Sequence, residues 1–563
     1  MSLSRPISVI LLASLASLAG LSLAAHADDD VKGLSLKGVE NHEALIPPQC
    51  YTRTDGRFNP CFTCHQSYQD TNRPNFMQDA RLQAEYDFSD FAMTNRWSNL
   101  FTDRSDEVAA ISDEEIRDYI AEDNYSALAG RLKSMGWEGF VPDLDDLQLA
   151  DGAFDEHGFA RDGSGWVAFN YKPLPSTFWP TNGSTDDVML RLPEAFRQAE
   201  DCRGEGGYSV DAYRANLAIL EAAIKDLPEI ESLPVDENAI CTDLNGDGER
   251  SVVTSLLRPD HYVGDASDVP VATMLYPEGI QFLHTVRYVG VTDDGEITHT
   301  PRMKEVRYMK KLAFHDREEL REIYGGGDEH DDHGDEGRDG EDHDEEHGHE
   351  HEGDVIAGFA DTGHGLKNEF GWLVLGFIED KQGELRPQTK EEQLFCMGCH
   401  STIGATLDQT FAFPRKVTGT EGWGYLDLKG MADAPNVGEI DGEILTYFER
   451  VGGGSEFRNN PEMQARWFTD EGEVDREKVE AADVHTLITP SPERALRLNK
   501  AYRVIVDEQS FIHGRDATVT PPENVYEEVD PSLSPLDEEY RYDWDIRLDW
   551  SRGQGGAGVA SGT

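Results

Sequence analysis

Basic residues are scarce in this chain: 50 Lys and Arg stand against 109 Asp and Glu, a net charge of −59 over 563 residues. A chain so poor in positive charge offers no footprint for a phosphate backbone or an anionic bilayer, which excludes nucleic acid as a partner. It favours instead a partner with a basic docking surface, or a saline medium in which an acidic surface stays solvated. Long apolar runs are scarce too. Only residues 7–25 approach the ~20 residues that span a bilayer. That run follows a lone Arg5, is punctuated by Ser and Gly, and ends at Ala25-His26-Ala27, a small-x-small cleavage pattern. It predicts a cleaved signal peptide over residues 1–27, a mature chain from Asp28 with no membrane span, and a periplasmic or otherwise exported location. No cysteine stands at the cleavage point, so a lipid anchor there is not expected.

Cysteine is the third scarcity, at seven residues. Four of the seven fall into two copies of one pattern, Cys61-Phe-Thr-Cys64-His65 and Cys396-Met-Gly-Cys399-His400. Two thiols three residues apart on a helical turn reach the two vinyl groups of one porphyrin, and the following His presents a nitrogen to its iron. A zinc site normally pairs two C-x-x-C units at short spacing, whereas these lie more than 300 residues apart. A thioredoxin-like redox pair needs a preceding strand and a βαβ context that neither stretch shows clearly.

On these two motifs the chain resembles the c-type cytochromes, as a two-haem member; the resemblance covers the motifs and not the whole length. It implies two covalently bound c-type haems, with thioethers at Cys61, Cys64, Cys396 and Cys399 and proximal iron ligands at His65 and His400. It also implies attachment outside the cytoplasm, which agrees with the signal peptide. Of the remaining cysteines, Cys202 and Cys241 are the expected disulfide in an oxidising compartment, leaving Cys50 near the first haem.

The length suggests two to four domains. The expected fold is mixed α+β with much irregular structure, in which two haem-binding regions flank a β-containing central region. The regions read as 28–139 for the first haem, 140–324 for the centre, 325–354 for a disordered insert, 355–550 for the second haem and 551–563 for a flexible tail. In the first region Ser112 caps a helix running from Asp113 to Met135. In the centre, helices start near Pro193 and run over Val210–Lys225. Ile280–Val291 reads as a strand, Asp-Asp-Gly-Glu as a turn, and Met303–Leu312 as a hairpin partner or a helix. After His400 the haem helix is expected to continue until Pro414.

Other candidates are weaker. Asp243, Asn245, Asp247 and Glu249 place oxygens at alternate positions around glycines, a calcium-loop pattern, so Ca²⁺ is a second candidate cofactor. The twelfth position is Thr254 rather than the bidentate Glu of an EF-hand, and an acidic Asn-Gly turn explains the same residues. Distal haem ligands are sought at His284, His364 and Met463, with Met93, Met135 and Met431 also at plausible spacing; a hydrogen-bonded core histidine or core methionine is the alternative for each. Arg287, Arg302, Lys304 and Arg307 form a basic cluster suited to haem propionates or to acidic neighbours. The insert carries His330, His333, His343, His347, His349 and His351, which suit Zn²⁺, Ni²⁺ or Cu²⁺, or a solvated loop that binds metal adventitiously.

Two functions follow from these residues. One is electron transfer between periplasmic redox partners. The other is a redox enzyme of peroxidase, oxygenase or oxyanion-reductase type, with one haem left five-coordinate.

Overall fold

Two long strands, Gln281–Val291 and Ile297–Lys311, form the hairpin on which the molecule is built. In this computed structural model the described residues are 44–553, apart from 69–72, 176–177, 326–359 and 401–402. The hairpin is the centre of an eight-stranded sheet in which every pairing is antiparallel. Thr185–Arg191 and then Val167–Ala168 extend it on one side. Trp372–Glu379 extends it on the other, followed by Leu366–Lys367 and Ala360–Asp361, while Leu385–Pro387 also pairs with Trp372–Glu379. The segment Met303–Leu312 is thus strand as far as Lys311 and not helix.

The alternation of a strand sorts this sheet into two apolar faces. The cross-strand row Leu190, Phe282, Met309 and Val374 faces the buried helix Val210–Lys225 in one core cluster. The next row, Met189, Leu283, Tyr308 and Leu375, faces the opposite way, toward Leu128, Leu132 and Trp166. A third cluster joins Tyr288, Val289 and Ile378 to the helix Pro492–Glu508. Covered on both sides, the central strands are almost continuously buried, which is why they read as apolar runs.

Helix boundaries differ from expectation at three places. Ser112 does cap a helix, accepting from Glu115 N at 3.1 Å, but that helix stops at Ala121 and a second runs over Leu128–Ser134. Asp123 turns the chain by accepting from Tyr125 N and Ser126 N, and Asn124 bonds Met303 N and O in the sheet. Short polar side chains here compete with the helical ladder. Near Pro193 there is a single 3-10 turn, Glu194–Arg197. The helix that carries the second motif ends at Met397 and does not continue to Pro414.

The disulfide Cys202–Cys241 is formed. The chain from Ala44 onward belongs to one unit, so the regions read in succession along the sequence are interleaved in space. The signal peptide, the His-rich insert with its six histidines and the end of the tail lie outside the described residues. No helix among the described residues is long and apolar enough to cross a membrane.

Candidate functional site

The two Cys-x-x-Cys-His stretches adopt the same local turn. His65 N donates to Cys61 O at 2.9 Å, and His400 N donates to Cys396 O at 3.2 Å. The first lies on the 3-10 turn Cys61–Thr63, and the second closes the helix Lys390–Met397. That helix starts with a reciprocal cap, Thr389 accepting from Glu392 N and Glu392 accepting from Thr389 N. Glu392 is also gripped by both terminal nitrogens of Arg386 at 2.8 Å.

Separated by 335 residues, the motifs meet in space. Ala405 N, just past the second motif, donates to Cys64 O at 2.8 Å. Gly404 lies so close to the first motif that a Cβ there would stand 2.2 Å from Asp79 Oδ1 and 2.6 Å from Gln66 O. The thiols of Cys64 and Cys399 feel one another, and those of Cys61, Cys64 and Cys399 all act on Cys50. Burial, with the neighbouring thiols second, pushes Cys61 up to about 12 and lifts Cys399 and Cys50 as well. Cys64 is raised to about 11, also chiefly by burial. The fifth thiol at the junction, Cys50, sits beside the first motif as expected. All five are free, unlike Cys202 and Cys241.

Each motif histidine has its Nδ1 held. His65 Nδ1 donates to Asp79 Oδ2 at 2.7 Å; Asp79 Oδ1 also accepts from Gln66 N at 2.8 Å. His400 Nδ1 donates to Gln409 O at 3.1 Å. That carbonyl is presented by a two-residue turn, with Leu407 and Thr410 bonded to each other on both sides. Both turn residues are left-handed, at φ 44° for Asp408 and 64° for Gln409, which is costly for non-glycine residues. The Asp408 carboxylate is held by Tyr276 N at 2.8 Å, Trp372 Nε1 at 3.3 Å and the Lys311 ammonium, and these bonds fix the turn. Burial drops the His400 imidazole to about 4, so it is neutral at physiological pH.

Around the second motif the sheet supplies the floor. Val188, His284, Arg307 and Gly376 pair in one cross-strand row on the same face as Phe282, and Glu305 lies one row further on that face. Glu305 binds Arg307 at 2.9 Å and Arg515 at 3.1 Å, and Arg515 reaches Cys396 Sγ at 3.8 Å. The two guanidiniums hold the buried Glu305 carboxyl down to about 2 against its burial. Arg307 stacks over Phe178, whose ring meets His284 edge-on at 5.7 Å. His284 bears on the charge of His400. Its Nε2 lies 3.3 Å from Asp186 Oδ2, which also accepts from Tyr171 OH at 2.5 Å.

The other sequence candidates are scattered. His364 packs on Trp137, with ring centroids 4.9 Å apart, and its Nε2 is 3.9 Å from Glu138. Met463 is fully buried among Phe62, Trp179 and Trp467. Of the basic cluster only Arg307 lies at the second motif with a bridging carboxylate; Arg287 is paired with Asp187 and Arg302 with Glu379. In the acidic turn Asp243 accepts from Gly246 N and Gly248 N, Asp247 accepts from Glu249 N, and Asn245 donates to Asp247. The Asp243 and Asp247 carboxylates thus each accept from the turn's own amides. Among the described residues no three His, Cys, Asp or Glu side chains gather as they would around a metal ion.

Sequence reasoning missed Asp79, Gln409, Phe178, Arg515 and Asp516. Asp79 lies 14 residues past His65, and its signal is a carboxylate close in sequence to a histidine whose ring nitrogen needs an acceptor. The others come from remote segments and carry no local signal.

The residues at both motifs fit covalent haem. Four thiols sit in two helical turns without disulfide partners. Two histidines have their Nδ1 held. Buried polar atoms around the second motif lack hydrogen-bond partners, among them Arg515 Nε and Asp516 Oδ2.

Comparison with known proteins points elsewhere for ancestry. Residues 34–485 match a family described as a "-like lipoprotein". An uncharacterized lipoprotein of Aquifex aeolicus is 34% identical over 542 residues, covering 85% of this chain and 86% of that protein. No solved structure matches. The resemblance to the c-type cytochromes is therefore corrected: the matched family is a lipoprotein family, and neither description mentions a cytochrome, haem or electron transfer. Two five-residue motifs are too short to define descent. The description also runs against the expectation of a chain without lipid; the first cysteine, Cys50, lies beside the motif thiols.

Proposed function

Taking as premise that this chain belongs to the "-like lipoprotein" family, we propose that it is an exported two-haem redox protein that passes electrons between partner proteins. The observation that carries this is the meeting of the two motifs, with Ala405 N bonded to Cys64 O. Two unrelated C-x-x-C-H stretches have no reason to share one buried junction. Two attachment sites that exchange electrons do.

In this reading Cys61 and Cys64 hold one haem and Cys396 and Cys399 the other, with His65 and His400 toward the irons. The haems supply reversible one-electron chemistry at iron. The protein's own groups set its terms. Asp79 fixes the tautomer and ring plane of His65 and makes it a stronger donor, and the neutral Gln409 carbonyl does so more weakly for His400. The two sites therefore differ in potential, the carboxylate-backed one being lower. Among the distal candidates, His284 stands in the same sheet row as Arg307 and its charge acts on His400. A net charge of −59 calls for a partner with a basic docking face and an association that slows with salt.

The test is direct. Protein made in a host equipped for haem ligation is denatured, run on a gel and stained for haem, and its haem is counted by the pyridine haemochrome spectrum. Two haems are expected, one lost in Cys61→Ser/Cys64→Ser and the other in Cys396→Ser/Cys399→Ser. A haem-free band would end the proposal. Adding cyanide or carbon monoxide then separates a carrier, whose spectrum does not move, from an enzyme with an open iron.

A further inference from the structure

Buried charges in this molecule come as pairs: Arg415 with Glu443, Lys416 with Glu221, Lys311 with Asp408, Arg302 with Glu379. Lys304, Asp516 and Glu456 depart from that pattern. Lys304 is buried, yet its ammonium is spent on neutral acceptors, Gly183 O at 2.6 Å and Ser184 Oγ at 3.0 Å. It also lies over the rings of Tyr288 and Tyr502, at 5.0 and 4.3 Å. Asp516 is part-buried as a residue, with its Oδ2 sealed from solvent and without a hydrogen-bond partner. Glu456 is buried with amide partners only, Asn182 Nδ2 at 3.4 Å and the Gln49 side chain.

The segment 182–184 brings two of these groups together, Asn182 bonding Glu456 and Gly183 and Ser184 bonding Lys304, while Asp516 follows Arg515, whose guanidinium reaches Cys396 Sγ at 3.8 Å. Asp516 feels Lys304, Arg515, Arg307 and Glu305, and bears on Cys399 and Glu456. Glu456 also feels Arg494. Burial pushes Asp516 up to about 6 and Glu456 up to about 8, and pulls Lys304 down to about 7. An unpaired buried carboxylate is costly, so such a group stays neutral or changes charge with something beside it. The motif at Cys399 supplies that something.

Resting on the two-haem reading, we propose that Asp516 and Glu456, with Lys304 beside them, form a proton-loading cluster for the second haem. When one electron arrives there from a donor protein, one proton arrives from solvent and turns a carboxylate of the cluster into a carboxylic acid. On oxidation the electron and the proton both leave. The added negative charge is thereby cancelled inside a low-dielectric pocket.

The experiment is a spectroelectrochemical titration of the haem-loaded protein from pH 5 to 9. One of the two midpoint potentials is expected to fall with pH, approaching ~59 mV per unit for one proton per electron. Asp516→Asn is expected to flatten that slope, and Glu456→Gln provides the same test if the first variant does not fold. A carboxylic C=O band in the reduced-minus-oxidised infrared spectrum should vanish in the same variant. Potentials flat with pH in the wild type, or a slope kept by the variants, overturn the proton-loading cluster. Both results presuppose bound haem, so they are distinct from the haem-free band that would end the two-haem reading itself.

Discussion

Replacing Glu443 with Gln tests the reasoning about buried charge most sharply. Glu443 is buried against Arg415, whose two terminal nitrogens reach its oxygens at 2.7 and 2.5 Å. Lys172 lies 3.2 Å from the same carboxylate, and Asn436 Nδ2 donates to it at 3.0 Å. After substitution Lys172 keeps Asp433 at 2.7 Å, but Arg415 is left with carbonyls alone. Stranding one buried charge costs about 3–5 kcal/mol. Proton linkage gives a second route to the magnitude. Arg415 and Lys172 overcome burial and hold the carboxyl at about 2, against an ordinary value of 4.5. At about 1.36 kcal/mol per tenfold in proton affinity, that is worth about 3 kcal/mol at pH 7. Because the folded value is depressed, the contribution is present above pH ~4.5 and fades as pH falls through ~2. Urea unfolding followed by tryptophan fluorescence should show Glu443→Gln about 3 kcal/mol less stable at pH 7, with the gap closing between pH 5 and 2. A loss under 1 kcal/mol at pH 7, or a gap unchanged at pH 2, would refute the argument. Arg415 also ties down the Lys172 and Pro173 carbonyls, so the variant should loosen the segment that carries Phe178 to His284.

Two further outcomes follow from the packing. The Cys202–Cys241 bridge closes a separation of 39 residues, so the double Ser variant should lose about 3–4 kcal/mol on the loop-entropy account; stability unchanged in denaturant would contradict it. A Cβ on Gly398 would lie 2.0 Å from Leu45 O, so Gly398→Ala should cost about 1–3 kcal/mol and speed proteolysis around residues 44–50, whereas Gly130→Ala, with open space around it, should not destabilise at all.

Much of the architecture was legible because it is local. The helix Val210–Lys225 appears within its expected bounds, since its Ser209 cap and its apolar content are both written in consecutive residues. The long hairpin and the Cys202–Cys241 bridge were legible for the same reason, each joining segments close in sequence. What escaped was set by remote partners. The Asp113–Met135 pattern breaks because Asn124 is needed by Met303 in the sheet. The helix expected to run past His400 ends at Met397, and further on Tyr276 and Trp372, from remote segments, hold Asp408 in a left-handed turn. Among the site residues, the two motifs announce themselves by spacing. Asp516, Glu456 and Gln409 are ordinary residues until the fold brings them to Cys399, to the Gln49 segment and to His400.

The same contrast explains why so much chain separates the motifs. Cys64 and Cys399 stand 335 positions apart. The intervening strands place His284, Arg307 and Glu305 on one sheet face in fixed register, and that face becomes the floor beneath the second motif. Trp372–Glu379 pairs with the same sheet and, through Leu385–Pro387, leads straight into the helix bearing Cys396, with Cys399 just past its end. The sheet thus delivers the second motif to the first, and residues 403–405 seal the junction through Gly404 and Ala405. Long-range strand pairing is slow to form and costly in loop entropy. A fold that accepts that cost to juxtapose two five-residue stretches makes their juxtaposition the feature that any function assigned to this chain must explain.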